Sequence, residues 1–160
     1  MAPSGYTHTI AYSLELPLPR EEVFAFFADA ANLQLITPPE LDFVIITPLP
    51  VEMKQGALID YRLSLFGIPF SWQTEITEWA PPDRFVDRQL SGPYAEWVHC
   101  HEFRDGPGGT TVMTDDVRYR LPLAPLGELV LPLVRTQLER IFTYRRNRVL
   151  ALLQAPLQRD

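Results

Sequence analysis

The sequence contains a single cysteine, Cys100, and a single lysine, Lys54. One cysteine excludes an internal disulfide and every metal site built from several thiolates. One lysine leaves almost no material for lysine-based covalent chemistry or for a P-loop that cradles phosphates. The scarcity of cysteine predicts a reducing compartment and therefore a cytoplasmic location.

Long apolar runs and an excess of positive charge are also missing. No run approaches the roughly 20 apolar residues of a membrane-spanning helix, and the first residues lack the basic and apolar segments of a signal peptide, so neither is predicted. The net charge of −6 argues against nucleic-acid binding. A length of 160 residues suits one domain. We expect that domain at residues 7–155, with tails at 1–6 and 156–160.

Short segments in which apolar and polar residues alternate are typical of strands. They predict a strand at 7–16 and six more at 41–47, 57–66, 68–79, 84–90, 94–104 and 110–121. A short helix after Pro19 and a helical turn at 29–35 are predicted between the first two strands. From Leu126 to Leu153 apolar residues recur at helical spacing, and Pro132 either kinks this long helix or marks the start of its main body. The order predicts an α+β fold, with an antiparallel sheet of about six to seven strands around a long C-terminal helix.

Several stretches of this pattern are similar to a known superfamily. They are ELPLPREEVFAFFAD, PPELDF, Gly67-Ile68-Pro69 with Trp72, PPDRFVDRQLSGPYAEWVHCHEF, GGTTVMTDDVRYRLP and LERIFTYRR, which together span roughly residues 8–150. The sequence resembles the helix-grip fold of the START and birch-pollen-allergen (SRPBCC) superfamily, and within it the bacterial polyketide cyclase/dehydratase and coenzyme Q-binding branch. The resemblance implies a cavity between the sheet and the long helix. Members bind lipids, sterols, quinones or plant metabolites, and a minority catalyse aromatisation or cyclisation, without a shared catalytic motif to transfer.

Polar residues fall on the strand faces that are predicted to point inward. Residues two apart on a strand share a face, so His99 and His101 lie beside Trp97, and Asp115 lies on the apolar face of the next strand. By the same parity, Asp87 and Gln89 share a face with Phe85, which is predicted to point inward. Thr74 shares the apolar face of its own strand with Trp72 and Ile76. Each buried polar group left unpaired costs about 1–3 kcal/mol. These groups therefore need to pair with each other, with water or with a ligand.

Four interpretations of this polar set are open. The first is a structural network in which the histidines bond to Asp115 or Asp87. The second is a pocket in which the polar groups hold the polar end of an apolar ligand, as small-molecule sites do. The third is acid–base catalysis by a His–Asp pair, and the fourth is a metal site from two histidines two apart with Asp115. Cys100 lies on the opposite face, which argues against a Cys–His nucleophile.

Aromatic residues and one arginine complete the candidate site. The aromatic ones are core residues by default, but in this fold the core and the cavity wall are the same surface. Arg145 lies on the apolar side of the long helix, either as a snorkelling side chain in an ion pair or as a cation holding an acidic ligand group. The predicted cavity residues are Tyr61, Trp72, Thr74, Asp87, Gln89, Trp97, His99, His101, Asp115, Tyr119, Phe142 and Arg145.

The preferred prediction is binding or transport of a hydrophobic small molecule such as a lipid, a quinone or a polyketide-like ring. No cofactor and no metal is predicted, and an oligomer is not indicated. One alternative is an enzyme of the cyclase, dehydratase or isomerase type, with His99, His101 and Asp115 as candidate catalytic residues. A further alternative is a protein-interaction module with a filled core and an exposed apolar patch.

Overall fold

A computed structural model describes residues 6–154, so the predicted tails lie outside the described residues except for Tyr6. Seven strands and two α-helices follow one another in the predicted order. They are β1 (His8–Leu16), α1 (Arg20–Ala28), β2 (Val44–Ile45), β3 (Leu58–Leu65), β4 (Ile68–Ala80), β5 (Arg84–Ser91), β6 (Glu96–Asp105), β7 (Thr111–Arg120) and α2 (Leu131–Gln154). Short 3₁₀-helices connect them at Ala30–Ile36, Pro39–Leu41, Pro107–Gly109 and Leu126–Val130.

The strands form one antiparallel sheet in the order β1-β7-β6-β5-β4-β3-β2. Strands β2 to β7 run as a meander, and β1 closes the order by pairing with β7. The alternation of the sequence appears directly in the burial of β6, where every second side chain from Trp97 to Phe103 is buried. The predicted α+β architecture of sheet and long C-terminal helix is therefore present.

The helix α2 packs one stripe of its surface against the sheet. Its buried residues are Val134, Leu138, Phe142 and Val149, whose spacing of four and seven places them on one face. Pro132 lies in the first turn of α2, where its missing N–H costs no helical hydrogen bond. It therefore marks the start of the helix rather than a kink inside it.

The predicted strand at 41–47 is wrong in length, because only Val44–Ile45 is a strand. Pro39–Leu41 is a 3₁₀-helix that ends at Asp42 in the left-handed region, with a φ of 46°. After β2, the amides of Ile46 and Thr47 both donate to the carbonyl of Asp60. Sharing one acceptor breaks the regular ladder, so the edge strand stops after two residues.

Two hydrophobic clusters fill the interior. The α1 cluster comprises Leu16, Val23, Phe24, Phe27, Ile36, Phe85, Phe103, Met113 and Val149. The α2 cluster comprises Leu41, Leu63, Leu65, Trp72, Trp97, Val117, Tyr119, Leu121, Val134, Leu138 and Phe142. Apolar side chains also face outward just before α2, where Leu123, Leu126 and Leu129 are 82%, 73% and 80% exposed. Within residues 6–154 neither helix combines the length and the apolar character that crossing a membrane requires.

Candidate functional site

A cavity of about 140 Å³ lies between the sheet and α2. Strands β3 to β6 form one wall, and Leu138, Ile141, Phe142 and Arg145 of α2 form the opposite wall. The 3₁₀ segment after α1 contributes further apolar residues at one end. Most lining groups are aliphatic or aromatic, which makes the cavity suited to an apolar occupant.

Tyrosine and tryptophan rings cover one part of the cavity wall. Tyr61 and Trp72 stack with centroids 5.7 Å apart, and Trp72 meets Trp97 edge-on at 5.4 Å. Tyr94 packs against Trp97 at 4.8 Å. Burial, followed by the negative charge of Asp87, raises the pKa of Tyr61, so its hydroxyl stays protonated at neutral pH. This wall is therefore made of rings in close contact and carries hydrogen-bond donors.

Two histidines and two aspartates form a compact polar cluster, here called the His–Asp box and defined as Asp87, His99, His101 and Asp115. His99 Nε2 lies 2.7 Å from Asp115 Oδ1, and His101 Nε2 lies 2.7 Å from Asp87 Oδ2. Longer contacts cross the box, at 3.2 Å from His101 Nδ1 to Asp115 Oδ1 and 3.9 Å from His99 Nδ1 to Asp87 Oδ2. Each carboxylate thus reaches both imidazoles.

The strand register explains this arrangement. Asp87 of β5 lies directly opposite His99 of β6, and Asp115 of β7 lies directly opposite His101. The shorter contact of each aspartate is made to the other histidine, two residues along the same strand. Diagonal neighbours on one sheet face are within reach of such side chains. Three adjacent strands therefore fix the box.

The box is buried and carries opposite charges side by side. Burial raises the pKa of Asp87 and Asp115, but the hydrogen bonds and charges of the histidines outweigh it, so both carboxyls have a pKa below the usual value. Burial and repulsion from His101 lower the pKa of His99. Burial acts the same way on His101, yet its contacts to Asp115 and Asp87 prevail and raise its pKa. Both aspartates are ionised at neutral pH, and His101 is the imidazole that holds the extra proton more strongly.

Stacked rings support the histidines from both sides. The rings of His99 and His101 stack with centroids 3.7 Å apart, and Phe85 stacks on His101 at 4.0 Å. Phe142 meets His99 edge-on at 5.7 Å. The ring of His101 therefore lies between the ring faces of His99 and Phe85.

Some buried polar atoms beside the cavity have no hydrogen-bond partner among residues 6–154. They are Trp72 Nε1, Thr74 Oγ1, Arg145 Nε and His101 Nδ1. The last lies 3.2 Å from Asp115 Oδ1, so a carboxylate is within its reach. The guanidinium of Arg145 lies 5.3 Å from the centre of the Phe142 ring. Trp72, Thr74 and Arg145 all line the cavity, and each has one polar atom without a hydrogen bond of good geometry, although the Thr74 hydroxyl lies near that of Tyr61.

No protein-family model matches the sequence, and no curated protein matches it closely enough to serve as a relative. Solved structures do match. An aromatase/cyclase from a Streptomyces species has a TM-score of 0.76 at 15% identity, over 95% of this chain and 96% of that one. A START superfamily protein from Mycobacterium smegmatis has a TM-score of 0.62 at 17% identity, over 91% and 99% of the two chains. The major latex-like protein of Panax ginseng has a TM-score of 0.63 at 14% identity, over 93% and 99%.

The chain has the helix-grip fold. The fold that the resemblance of the sequence implies is thereby confirmed. The similarity extends over nearly the whole length of each of these neighbours. Chemistry does not follow from it, because a shared fold supports many unrelated activities.

Nine of the twelve predicted site residues line the helix-grip cavity. They are Tyr61, Trp72, Thr74, Asp87, Trp97, His99, His101, Phe142 and Arg145. The other three, Gln89, Asp115 and Tyr119, lie outside this lining. Gln89 is turned into the β5–β6 connection, where its amide donates to the carbonyl of Tyr94 at 2.7 Å and accepts from the Tyr94 amide at 3.2 Å.

Asp115 and Tyr119 are also placed outside the main cavity. Asp115 lies behind the two histidines and lines a smaller cavity of about 20 Å³ between β1, β7 and α2. Tyr119 is 1% exposed and packs with its ring 5.5 Å from that of His8. Strand parity gave the correct face for both, but it does not say how far along the sheet the cavity extends.

The sequence interpretation missed Tyr94 as a wall residue. Tyr94 precedes β6, which begins at Glu96, so the parity of the strand does not apply to it. Its ring lines the cavity, and burial raises its pKa. The signal that was available is the Ser91-Gly92-Pro93 turn, which bends the chain before the strand. In the structure Gly92 lies against the Gln89 side chain, where an added Cβ would come within 2.6 Å of Oε1.

The atoms that could hold a metal ion belong to Asp87, His99 and His101. One ligand atom from each residue lies within 4.8 Å of the others. Two imidazoles and a carboxylate form a donor set that transition metals accept. The site can therefore offer an apolar surface, hydrogen-bond donors and a cation-binding cluster within one cavity.

Proposed function

We propose that this protein binds a small hydrophobic molecule that carries an oxygen acceptor, such as a carbonyl, carboxylate or phenolic oxygen. The apolar body fills the cavity between the sheet and α2. The oxygen accepts hydrogen bonds from side chains on the wall. This proposal narrows the broader prediction of a lipid, quinone or polyketide-like ligand.

The observation that carries the proposal is the set of unpaired polar atoms beside an apolar cavity. Trp72 Nε1 and Arg145 Nε are donors that cannot accept, and Thr74 Oγ1 can also donate. A buried donor without a partner costs about 1–3 kcal/mol. A ligand oxygen that accepts from them removes that cost, whereas a pure hydrocarbon leaves it in place.

The size of the cavity favours a compact ligand. An apolar cavity of about 150 Å³ accommodates a benzene-sized ring, and the volume here is about 140 Å³. One ring or a short chain therefore fits without movement of α2 or of the connecting segments. The aromatic walls at Trp72 and Trp97 suit a ring by stacking or edge-on contact. A neighbour with the same fold is named an aromatase/cyclase, which agrees with an aromatic occupant.

Acetophenone and α-methylstyrene provide a matched pair of probes, because they differ in one oxygen replaced by a methylene group. Binding is followed by the fluorescence of Trp72 and Trp97, with calorimetry as a second readout. A hydrogen bond to a charged donor contributes about 1.5–3 kcal/mol, so we expect acetophenone to bind about 10–100-fold more tightly.

Substitution of Arg145 tests the assignment of the donors. Arg145→Met replaces the guanidinium with an apolar side chain that is also unbranched. We expect this variant to lose most of the preference for the ketone over the alkene. Arg104→Met, on the 74%-exposed side chain at the far end of β6, is the control and should leave both affinities unchanged. Equal affinity of the wild-type protein for the two probes, or no binding of either, would contradict the proposal.

The two alternatives from the sequence remain predictions. The enzyme alternative relies on a histidine base, but the close contacts of both histidines to carboxylates serve a structural box equally well. The interaction module requires a filled core, which disagrees with the cavity, although Leu123, Leu126 and Leu129 do provide exposed apolar surface. A cytoplasmic location also remains a prediction.

A further inference from the structure

The His–Asp box has two sides, a back formed by Asp115 and a front formed by Asp87, which lines the cavity. At the back, Asp115 Oδ1 contacts His99 Nε2 at 2.7 Å and lies 3.2 Å from His101 Nδ1. At the front, Asp87 Oδ2 lies 2.7 Å from His101 Nε2 and 3.9 Å from His99 Nδ1. The ring nitrogens that do not face Asp115, His99 Nδ1 and His101 Nε2, therefore face Asp87, on the side of the box that lines the cavity.

This is the arrangement in which proteins hold metal-binding histidines. A histidine that binds a metal through one ring nitrogen almost always donates its other N–H to a carboxylate, a carbonyl or water, which fixes the tautomer and the ring orientation. Asp115 Oδ1 forms this contact with His99 Nε2 at 2.7 Å, and it lies 3.2 Å from His101 Nδ1 without a hydrogen bond of good geometry. The remaining nitrogens and the Asp87 carboxylate then form a set of two imidazoles and one carboxylate.

We infer that Asp87, His99 and His101 bind a divalent first-row transition-metal ion such as Zn²⁺, and that Asp115 positions the two imidazoles. The ion lies between Asp87 Oδ2, His99 Nδ1 and His101 Nε2. Three protein ligands leave a coordination position open toward the cavity, as in catalytic zinc sites. Asp115 does not bind the ion.

The distances require only small movements. Metal–ligand bonds of about 2.0–2.2 Å at tetrahedral angles place the ligand atoms about 3.4 Å apart. The distance from Asp87 to His101 has to increase from 2.7 Å, and the distance from Asp87 to His99 has to decrease from 3.9 Å. Each change is less than about 1 Å, because the target separation is about 3.4 Å. The larger change is in the rings, which have to rotate out of their stack, because the in-plane lone pairs of imidazoles 3.7 Å apart and inclined by 28° do not converge on one ion.

Charge and scaffold support the same assignment. The box contains two carboxylates with 17% and 13% of their side chains exposed, so a divalent ion with two neutral imidazoles leaves the box itself neutral, with the positive charge of Arg145 acting on Asp87 from outside it. The ligands stand on β5 and β6, and their support stands on β7, within one hydrogen-bonded sheet. Sites on strands are held more precisely than sites on loops.

Cobalt titration tests the inference directly. The protein is treated with a chelator and dialysed, and Co²⁺ is added while its ligand-field absorption and the bound metal per chain are measured. We expect one Co²⁺ per chain with a low-symmetry visible spectrum, displaced by Zn²⁺. His99→Gln and Asp87→Asn should abolish the spectrum, and Asp115→Asn should weaken binding about 10–100-fold, which is the usual effect of losing a supporting carboxylate.

His8 is the matched control, since it is the third histidine of the chain and is paired with Glu128 at 2.8 Å outside the box. His8→Gln should bind Co²⁺ as the wild-type protein does. A melting curve for each variant shows that it is folded. Absence of stoichiometric Co²⁺ binding to the wild-type protein, or an equal loss in His8→Gln and His99→Gln, would overturn the inference.

The metal site and the proposed binding of a hydrophobic ligand are tested by separate experiments, so either can be contradicted while the other stands. Co²⁺ binding is measured without any organic ligand, and the acetophenone titration is run on chelator-treated protein. A loss of one signal with the other intact identifies which assignment is wrong.

Discussion

The two hydrophobic clusters of the interior are built from similar residues but pack differently. In the α1 cluster, Phe24 meets Trp79, Phe85 and Phe103 edge-on at 5.2–5.8 Å, and neither Phe24 nor Phe103 lines the cavity. In the α2 cluster, Trp72, Trp97 and Phe142 surround the cavity instead of filling it. The polar residues Thr74 and Arg145, with unpaired atoms, lie at this hollow side. Phe27, Ile36 and Phe85 of the α1 cluster also line the cavity, so the boundary lies inside that cluster. The side at Phe24 and Phe103 stabilises the fold, while the side at Trp72, Trp97 and Phe142 keeps space and hydrogen-bonding capacity for a ligand.

The largest expected effect belongs to the filled cluster. Phe103 is 1% exposed and its ring lies 5.2 Å from Phe24 and 5.7 Å from Phe27. Phe103→Ala should lower the free energy of unfolding by about 3–5 kcal/mol, because it removes a buried ring and leaves a cavity. Chemical denaturation with urea measures this loss.

The exposed Phe66 supplies the control for that measurement. Its side chain is 54% exposed in the turn between β3 and β4, so Phe66→Ala should change stability by less than about 0.5 kcal/mol. If Phe103→Ala cost as little as Phe66→Ala, the α1 cluster would not be the stabilising part of the interior.

Two buried threonines allow a sharper comparison of paired and unpaired hydroxyls. Thr111 is 0% exposed and donates to the carbonyl of Leu18 at 2.7 Å. Thr111→Val leaves that carbonyl without its donor and should cost about 1–3 kcal/mol. Thr74 is 4% exposed, and its hydroxyl lies near that of Tyr61 without forming a hydrogen bond of good geometry. Thr74→Val keeps the shape and should be neutral or slightly stabilising, as measured by thermal unfolding of both variants.

The same pair also separates stability from binding. Thr74→Val should weaken acetophenone binding, whereas Thr111→Val should not, provided that both variants are folded at the temperature of the titration. A large loss of stability in Thr74→Val would mean that its hydroxyl has a partner in the protein. The distinction between the two sides of the interior would then be wrong at this position.

The smallest expected effect concerns the surface, where Glu40 of the 3₁₀-helix Pro39–Leu41 pairs with Arg140 of α2. The hydrogen bond from Arg140 lowers the pKa of Glu40. A carboxyl with a lower pKa in the folded state stabilises the fold above its unfolded pKa and loses this contribution as the pH falls. Glu40→Gln should therefore lower stability slightly at neutral pH, and the difference from wild type should vanish in acid. A difference that is the same at every pH would contradict an electrostatic origin.

The sequence was sufficient for the fold and for the faces of its strands. Period-two alternation placed Trp97, His99, His101 and Phe103 on the inner face, and all four are buried. The helical repeat after Leu126 predicted α2, and the structure decides between the two roles left open for Pro132, which lies in the first turn. These signals are strong because a buried face demands apolar residues at a fixed period.

The details of the site depended on information that periodicity does not contain. Gln89 faces inward, but its amide bonds to the backbone of Tyr94 instead of facing the cavity. The direct register of β5 with β6 and of β6 with β7 decides which carboxylate reaches which imidazole, and no local pattern encodes it. The cavity volume depends on how Phe142 and Trp72 pack across the interior, which is a long-range property of the chain.

A crystal structure of the complex with acetophenone would test the central claim most directly. We expect the ring of acetophenone to lie between the walls at Trp72, Trp97 and Phe142. Its ketone oxygen should lie at hydrogen-bond distance from Trp72 Nε1, Thr74 Oγ1 or Arg145 Nε. A ring bound elsewhere, or an oxygen directed at an aliphatic wall while these three groups remain unpaired, would contradict it.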